Sequence, residues 1–297
     1  MRRKKQAGCA AAIAVSTLWG LSFIGSRRAL AAGMQTFSLI AVRFTVASAL
    51  LYCICRLTKQ PLRLPKKDFL RMLVTAVTGV TLYYLCELRG LERTSASVTS
   101  LVIATIPVFS LLVGAVRYRK MPEPRKWLGV FLSLFGVYLL AFTEPGENTA
   151  AGFAYLFGAC ACWVVYLEIT GDLLTRYSSL TVTFWQSLLG TLTSLPLALT
   201  EKVPWRTIPL DAWLWICVFL GMICSCACYI MNNYSIAVLS PQMNAAFLNL
   251  SPVATAIGGY ILLGERITLT QAVGGAIILA SLFIITFSGR KKRGSLS

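Results

Sequence analysis

The sequence predicts an all-α integral membrane protein, with ten transmembrane helices arranged as two inverted five-helix repeats. Three observations carry this prediction. Of 297 residues, 57% are hydrophobic and 13% charged, with a mean hydropathy of +0.70; a soluble domain carries about 25% charged residues. Ser95 to Gly136 registers on Ser240 to Ser281, with Pro107 on Pro252, Val108 on Val253, Gly114 on Gly259 and Gly129 on Gly274. A period of about half the chain marks a duplicated unit. Apolar runs of about 20 residues, the length a helix needs to cross hydrocarbon, recur throughout.

Taken in order, the expected spans are 9–29, 36–56, 69–91, 95–116, 125–143, 151–171, 180–200, 211–234, 242–264 and 269–289. Four basic residues ahead of the first run imitate a signal peptide. The run continues through Val15, Trp19 and Leu21 with no clear cleavage site, so it is expected to stay as the first span. Polar residues interrupt the third and eighth. The acidic linker Glu144 to Asn148 joins the first repeat, 1–143, to the second, 151–289, and a basic tail, 290–297, follows.

Ten spans put both termini on one side. With both termini cytoplasmic, 20 Lys and Arg lie inside against 7 outside, which the positive-inside rule favours in a multi-pass protein of the cell membrane, plasma or inner. Five helices per unit is an odd number, so the second unit enters the bilayer in the opposite sense. Inverted repeats of this kind are common in secondary transporters, and alternating access follows if the halves exchange conformations.

The net charge of +17 comes from loops and termini. Orientation and contact with anionic lipid account for it, and no nucleic acid is expected. The chain has no His, which removes the commonest metal ligand and general base. Its ten Cys include no Cys-x-x-Cys pair, and Cys224, Cys226 and Cys228 point in different directions on a helix. No metal, no cofactor and no catalytic group are therefore expected. A membrane enzyme acting on lipid would need an interfacial cluster of acids, bases or ligands that the sequence lacks.

Several residues stand out for transport. Pro107 and Pro252 sit mid-span and are expected to kink their helices, opening a cavity or serving as a hinge, with a packing kink as the alternative. Arg43 is the one basic residue deep in a span, about 10 Å below the outer end at 1.5 Å per residue. A charge in lipid needs a partner. Glu87, at comparable depth, is expected to pair with it, either structurally or for proton coupling; Glu168 is the second coupling candidate. Tyr229 and Asn233, four apart, share a helix face. With Asn244, on the span that holds the second proline, they line a cavity or make interhelical hydrogen bonds. Trp19, Tyr83, Trp163 and Tyr166 lie away from the interfaces. Trp19 and Trp163 occupy related positions in the first and sixth spans, as walls for an amphipathic or aromatic solute or as core.

Leu18-Trp19-Gly20-Leu21-Ser22-Phe23, Ala41-Val42-Arg43-Phe44, Thr94-Ser95-Ala96-Ser97, Ile106-Pro107-Val108, Ser251-Pro252-Val253 and Leu263-Gly264-Glu265-Arg266 recur in order across the whole chain, with Gly129 and Gly274. In these the chain resembles the drug/metabolite transporter superfamily, specifically its ten-helix EamA-type members. It departs from them where Arg119-Lys120 stands opposite Gly264-Glu265, and where Trp163-Val164 answers Trp19-Gly20. The resemblance implies a secondary transporter or exporter of small organic metabolites, often amino acids or related amphipathic solutes, with a central cavity and with the fifth and tenth helices peripheral. The movement it implies is proton-coupled, exchange-coupled or facilitated; the expected partners are a small-molecule substrate, the lipid bilayer and, in the first case, protons, with the chain a monomer or weak dimer. A lipid-linked substrate flippase is the alternative.

Overall fold

The computed structural model describes residues 2–119, 121, 123–141, 149–239, 241–264 and 266–287. The linker Glu144 to Asn148, the tail 290–297, the last residues of the expected spans 125–143 and 269–289, Ser240, Lys120, Glu265 and the side chain of Gln242 lie outside the described residues. The helices are α1 (Arg2–Ala31), α2 (Thr36–Leu57), α3 (Lys66–Leu91), α4 (Ala96–Ile103), α5 (Ile106–Tyr118), α6 (Pro124–Ala141), α7 (Ala150–Leu173), α8 (Ser179–Ala198), α9 (Leu210–Leu239), α10 (Pro241–Phe247), α11 (Ser251–Leu263) and α12 (Leu269–Phe287). No strand occurs among the described residues.

Among the described residues, seven stretches are long and apolar enough to cross a membrane: Arg3–Ala31, Thr36–Leu57, Lys66–Leu91, Ala96–Val116, Ala150–Leu173, Leu210–Leu239 and Met243–Leu263. The chain is a multi-pass membrane protein. The other three expected spans coincide with α6, α8 and α12, which fall outside that set. For α8 the reason is composition: Thr181, Thr183, Gln186, Ser187, Thr191 and Ser194 all face inward and lower its hydropathy. Helix α6 packs chiefly along α12, and their outward residues Phe131, Leu134, Phe135 and Phe283 are exposed, as lipid contact allows.

The prolines do not kink continuous helices, as the sequence suggested. The chain breaks at Ala104 and Thr105, and Pro107 lies in the first turn of α5. A 3₁₀ turn, Leu248–Leu250, interrupts the second copy, and Pro252 lies in the first turn of α11. A first turn has no use for the missing N–H, so a proline restarts a helix there at little cost. The copies also agree where their residues differ. Arg119 and Gly264 are equivalent positions, and both end their helices in the left-handed conformation, φ 49° and 68°. Glycine adopts it freely, whereas arginine does so against its Cβ.

The two spans interrupted by polar residues are continuous helices with π-helical interiors, Val77–Thr81 in α3 and Trp215–Ala227 in α9. A π turn carries an extra residue and loosens the backbone ladder. In α3 it presents the Gly79 carbonyl, which accepts the Tyr229 hydroxyl at 2.8 Å. Gly79 also lets the Tyr166 ring lie against the backbone; a Cβ there would run into it.

Helix α1 packs on α9 and α11, α3 on α7, and α2 along α8. Gly20 sets the first of these contacts, because an added Cβ would stand 2.5 Å from the Ser251 carbonyl. Ser251 and Thr255 donate to the Ser16 and Gly20 carbonyls at 2.9 and 2.8 Å.

Candidate functional site

The packing of α1 between α9 and α11, and of α3 on α7, leaves a small cavity where the two helix breaks meet. Its wall takes Trp19, Ser22 and Phe23 from α1, Tyr83, Tyr84 and Glu87 from α3, and Trp163 from α7. The breaks supply the rest: Ile103 and Ile106 flank the first, Leu248 and Ser251 the second. The cavity volume is about 20 Å³, enough for a water molecule and for no organic solute.

The wall is aromatic. Trp19 meets Trp163 edge-on at 5.3 Å between centroids, Tyr83 lies 4.8 Å from Trp163, and Tyr83 meets Tyr84 at 5.0 Å. Such separations suit offset or T-shaped contact. The two indoles differ in their N–H groups. Trp19 Nε1 donates to the Cys224 carbonyl at 3.0 Å, whereas Trp163 Nε1, in a side chain 2% exposed, has no partner. Glu87 is 3% exposed and its Oε1 is also without a partner.

Arg43 is fully buried but does not enter the wall. Its guanidinium carbon lies over the Tyr84 ring, 4.3 Å from the centroid. Nε donates to Ser225 Oγ at 2.9 Å and Nη2 to the Tyr84 hydroxyl at 3.4 Å. The expected contact pair with Glu87 is not formed: Nη1 and Glu87 Oε1 each lack a hydrogen-bond partner. Tyr84 takes up the guanidinium instead, and the two charges interact through space.

Of the expected cavity residues, Trp19, Tyr83 and Trp163 line the cavity; Tyr166, Tyr229, Asn233 and Asn244 do not. Asn233 is the centre of a closed network behind it. Tyr166 donates to Asn233 Oδ1 at 2.8 Å, and Asn233 Nδ2 donates to Thr183 and Gln186 at 2.8 and 3.0 Å. Gln186 Nε2 in turn donates to Thr170 at 2.9 Å. Asn244 donates to Asn232 Oδ1 at 2.8 Å. Amides in hydrocarbon need partners, and here neighbouring helices supply most of them. Glu168 lies outside the wall, as do Pro107 and Pro252, although the breaks beside the prolines line it. The sequence reading missed Ser22, Phe23 and Tyr84. Helical spacing held the signal for the first two, since Trp19, Ser22 and Phe23 share a face, as do Tyr83 and Glu87.

Contacts toward the helix ends close the bundle. Asp68, at the start of α3, accepts from Arg176 at 2.5 Å and from the Tyr177 hydroxyl at 2.6 Å. That carboxylate holds the Tyr177 hydroxyl above the ordinary tyrosine range. It therefore stays protonated, as a donor, at neutral pH. Helices α2 and α8 are joined at each end. The Glu201 carboxylate accepts from the Phe37 and Ser38 amides at 3.0 and 2.7 Å, and Gln35 donates to the Lys202 carbonyl. At the far end Thr181 and Trp185 donate to the Pro61 and Leu62 carbonyls, each at 3.0 Å. Among the described residues no three Cys, Asp or Glu side chains converge in a way that could hold a metal.

Residues 6–142 and 150–287 each match the EamA-like transporter family. A protein of Archaeoglobus fulgidus named "Uncharacterized transporter" is 30% identical over 91% of this chain and 93% of its own length. One of Streptantibioticus cattleyicolor named "Probable terminal-alkyne amino-acid exporter" is 28% identical over 85% of each chain. A solved crystal structure superposes with a TM-score of 0.70 at 18% identity, over 96% of this chain and 99% of that one, which is a likeness of fold.

Proposed function

The chain belongs to the EamA-like transporter family, and from that premise we propose that it is a secondary transporter exporting small organic metabolites, amino acids or related amphipathic solutes, by alternating access through the central cavity. It is a transporter and not an enzyme; substrate class, direction and mechanism are the proposal. The observation that carries it is that two helix breaks at equivalent positions, Ile103/Ile106 and Leu248/Ser251, flank one cavity. In this reading 1–143 and 151–289 are inverted repeats, ten helices cross the cell membrane, and both termini are cytoplasmic. Interrupted helices at the midplane put free backbone and mobile joints beside the solute.

Glu87 is the coupling residue of this reading, because it places a buried carboxyl with an unpartnered oxygen in the wall. Tyr83, Tyr84 and Arg43 are the titratable and charged groups around it. The test is uptake of amino acids and related metabolites into proteoliposomes, with and without a pH gradient. We expect gradient-dependent uptake that disappears in Glu87→Gln at unchanged protein level. Gradient-independent uptake in both proteins would remove the coupling role, and no uptake of any metabolite would remove the proposed function.

A further inference from the structure

Two polar atoms in the buried wall lack partners, and they are of opposite kind. Glu87 Oε1 is an acceptor without a donor, and Trp163 Nε1 is a donor without an acceptor. Other polar groups of the wall are engaged within the protein: Trp19 Nε1 with Cys224, Ser22 Oγ with the Trp19 carbonyl, Ser251 Oγ with the Ser16 carbonyl. Tyr83, one helical turn before Glu87, lies 4.8 Å from the Trp163 ring, so one small molecule can meet both groups. Buried polar groups in native structures are normally satisfied; other buried atoms, such as Arg43 Nη1 and Asn232 Nδ2, are also open, but these two border the cavity, where a ligand can reach them.

That ligand has a charge preference. Aromatic faces carry negative potential and attract cations, and here they surround a carboxyl. An incoming carboxylate would find Glu87 repelling it and a single indole N–H to offset that. Arg43, the one buried cation near the site, stands behind the Tyr84 ring with Nε and Nη2 already donating.

We propose that the solute is a monocationic primary amine with an apolar body and a neutral hydrogen-bond acceptor beside the amine, such as an amino-acid amide or ester, and that free zwitterionic amino acids are poorer substrates. The ammonium donates to Glu87, the neutral carbonyl accepts from Trp163 Nε1, and the apolar body lies among the rings. The inference rests on the transport reading above and specifies its substrate class.

The experiment compares four probes of one shape in proteoliposomes at about pH 6: phenylalaninamide, phenethylamine, phenylalanine and phenylacetate. We expect phenylalaninamide to be taken up with an apparent affinity about tenfold above that of phenylalanine, because the two share the ammonium and only phenylalanine brings a carboxylate beside Glu87, and phenylacetate to be excluded. Trp163→Phe should bring the ratio of phenylalaninamide to phenethylamine affinity down to about one, whatever loss both probes share, and thermal unfolding in detergent reports that the variant is folded; a ratio unchanged by the substitution would overturn the Trp163 contact. Phenylalanine or phenylacetate moving as well as the amide in the unaltered protein would overturn the inference and leave transport standing. Failure of all four, together with the wider metabolite screen, would overturn both.

Discussion

Two polar clusters lie side by side in the centre of the molecule, and they are built on opposite terms. Around Asn233, each polar atom of the Asn233 side chain has a partner drawn from α7 or α8, and the chain of hydrogen bonds runs on to Thr170. Around Glu87 and Trp163, a donor and an acceptor are left open on a cavity wall. A saturated network stabilises one arrangement of helices and has nothing left to offer a solute. An unsaturated pair costs stability and keeps its bonding capacity for something that arrives. Between these two clusters, what differs is the partner count and the access to a cavity, more than the residue type.

The comparison can be broken from either side. The largest effect is expected for Asn233→Leu, which takes the partner from the Tyr166 hydroxyl and from Gln186 Oε1 and one of two bonds from the Thr183 hydroxyl; thermal unfolding in detergent should show a loss of about 3 kcal/mol. Little change would show the network to be dispensable. Gly79→Ala follows, at about 2 kcal/mol, because the new methyl forces the Tyr166 ring away and with it the hydroxyl that anchors Asn233. Here the same unfolding assay should find the loss halved when Tyr166 is already Phe. The smallest effect on stability is expected for Glu87→Gln. The desolvation relieved by removing a buried carboxylate is offset by the lost attraction to Arg43, so stability should change by less than about 1 kcal/mol while gradient-dependent uptake disappears. A destabilised Glu87→Gln would place Glu87 with the scaffold.

Much of this was legible in the sequence. Composition and span length identify a multi-pass helical protein, and the matched prolines locate both helix breaks. Trp19, Trp163 and Tyr83 could be read as wall residues because they are amphipathic rings held away from the interfaces. For Asn233 the sequence left cavity wall and interhelical hydrogen bonds both open, for a physical reason. Its fate depends on Thr183 and Gln186, which α8 delivers from 50 and 47 residues away, and no local pattern announces that meeting. Arg43 was matched to Glu87 by depth alone, whereas Ser225 and the Tyr84 ring, at the right azimuth as well as depth, hold it. The π turns of α3 and α9 left only an indirect trace, as polar interruptions in apolar runs.

The joined ends of α2 and α8 have a mechanical consequence. The two helices run antiparallel, and each helix start is tied to the loop that follows the other. Translation along their common axis strains the ties at both ends at once, in either direction. The pair thus lacks one degree of freedom that neighbouring helices ordinarily have. It can tilt and turn as a single strut, so a rearrangement that enlarges the centre carries the two helices together.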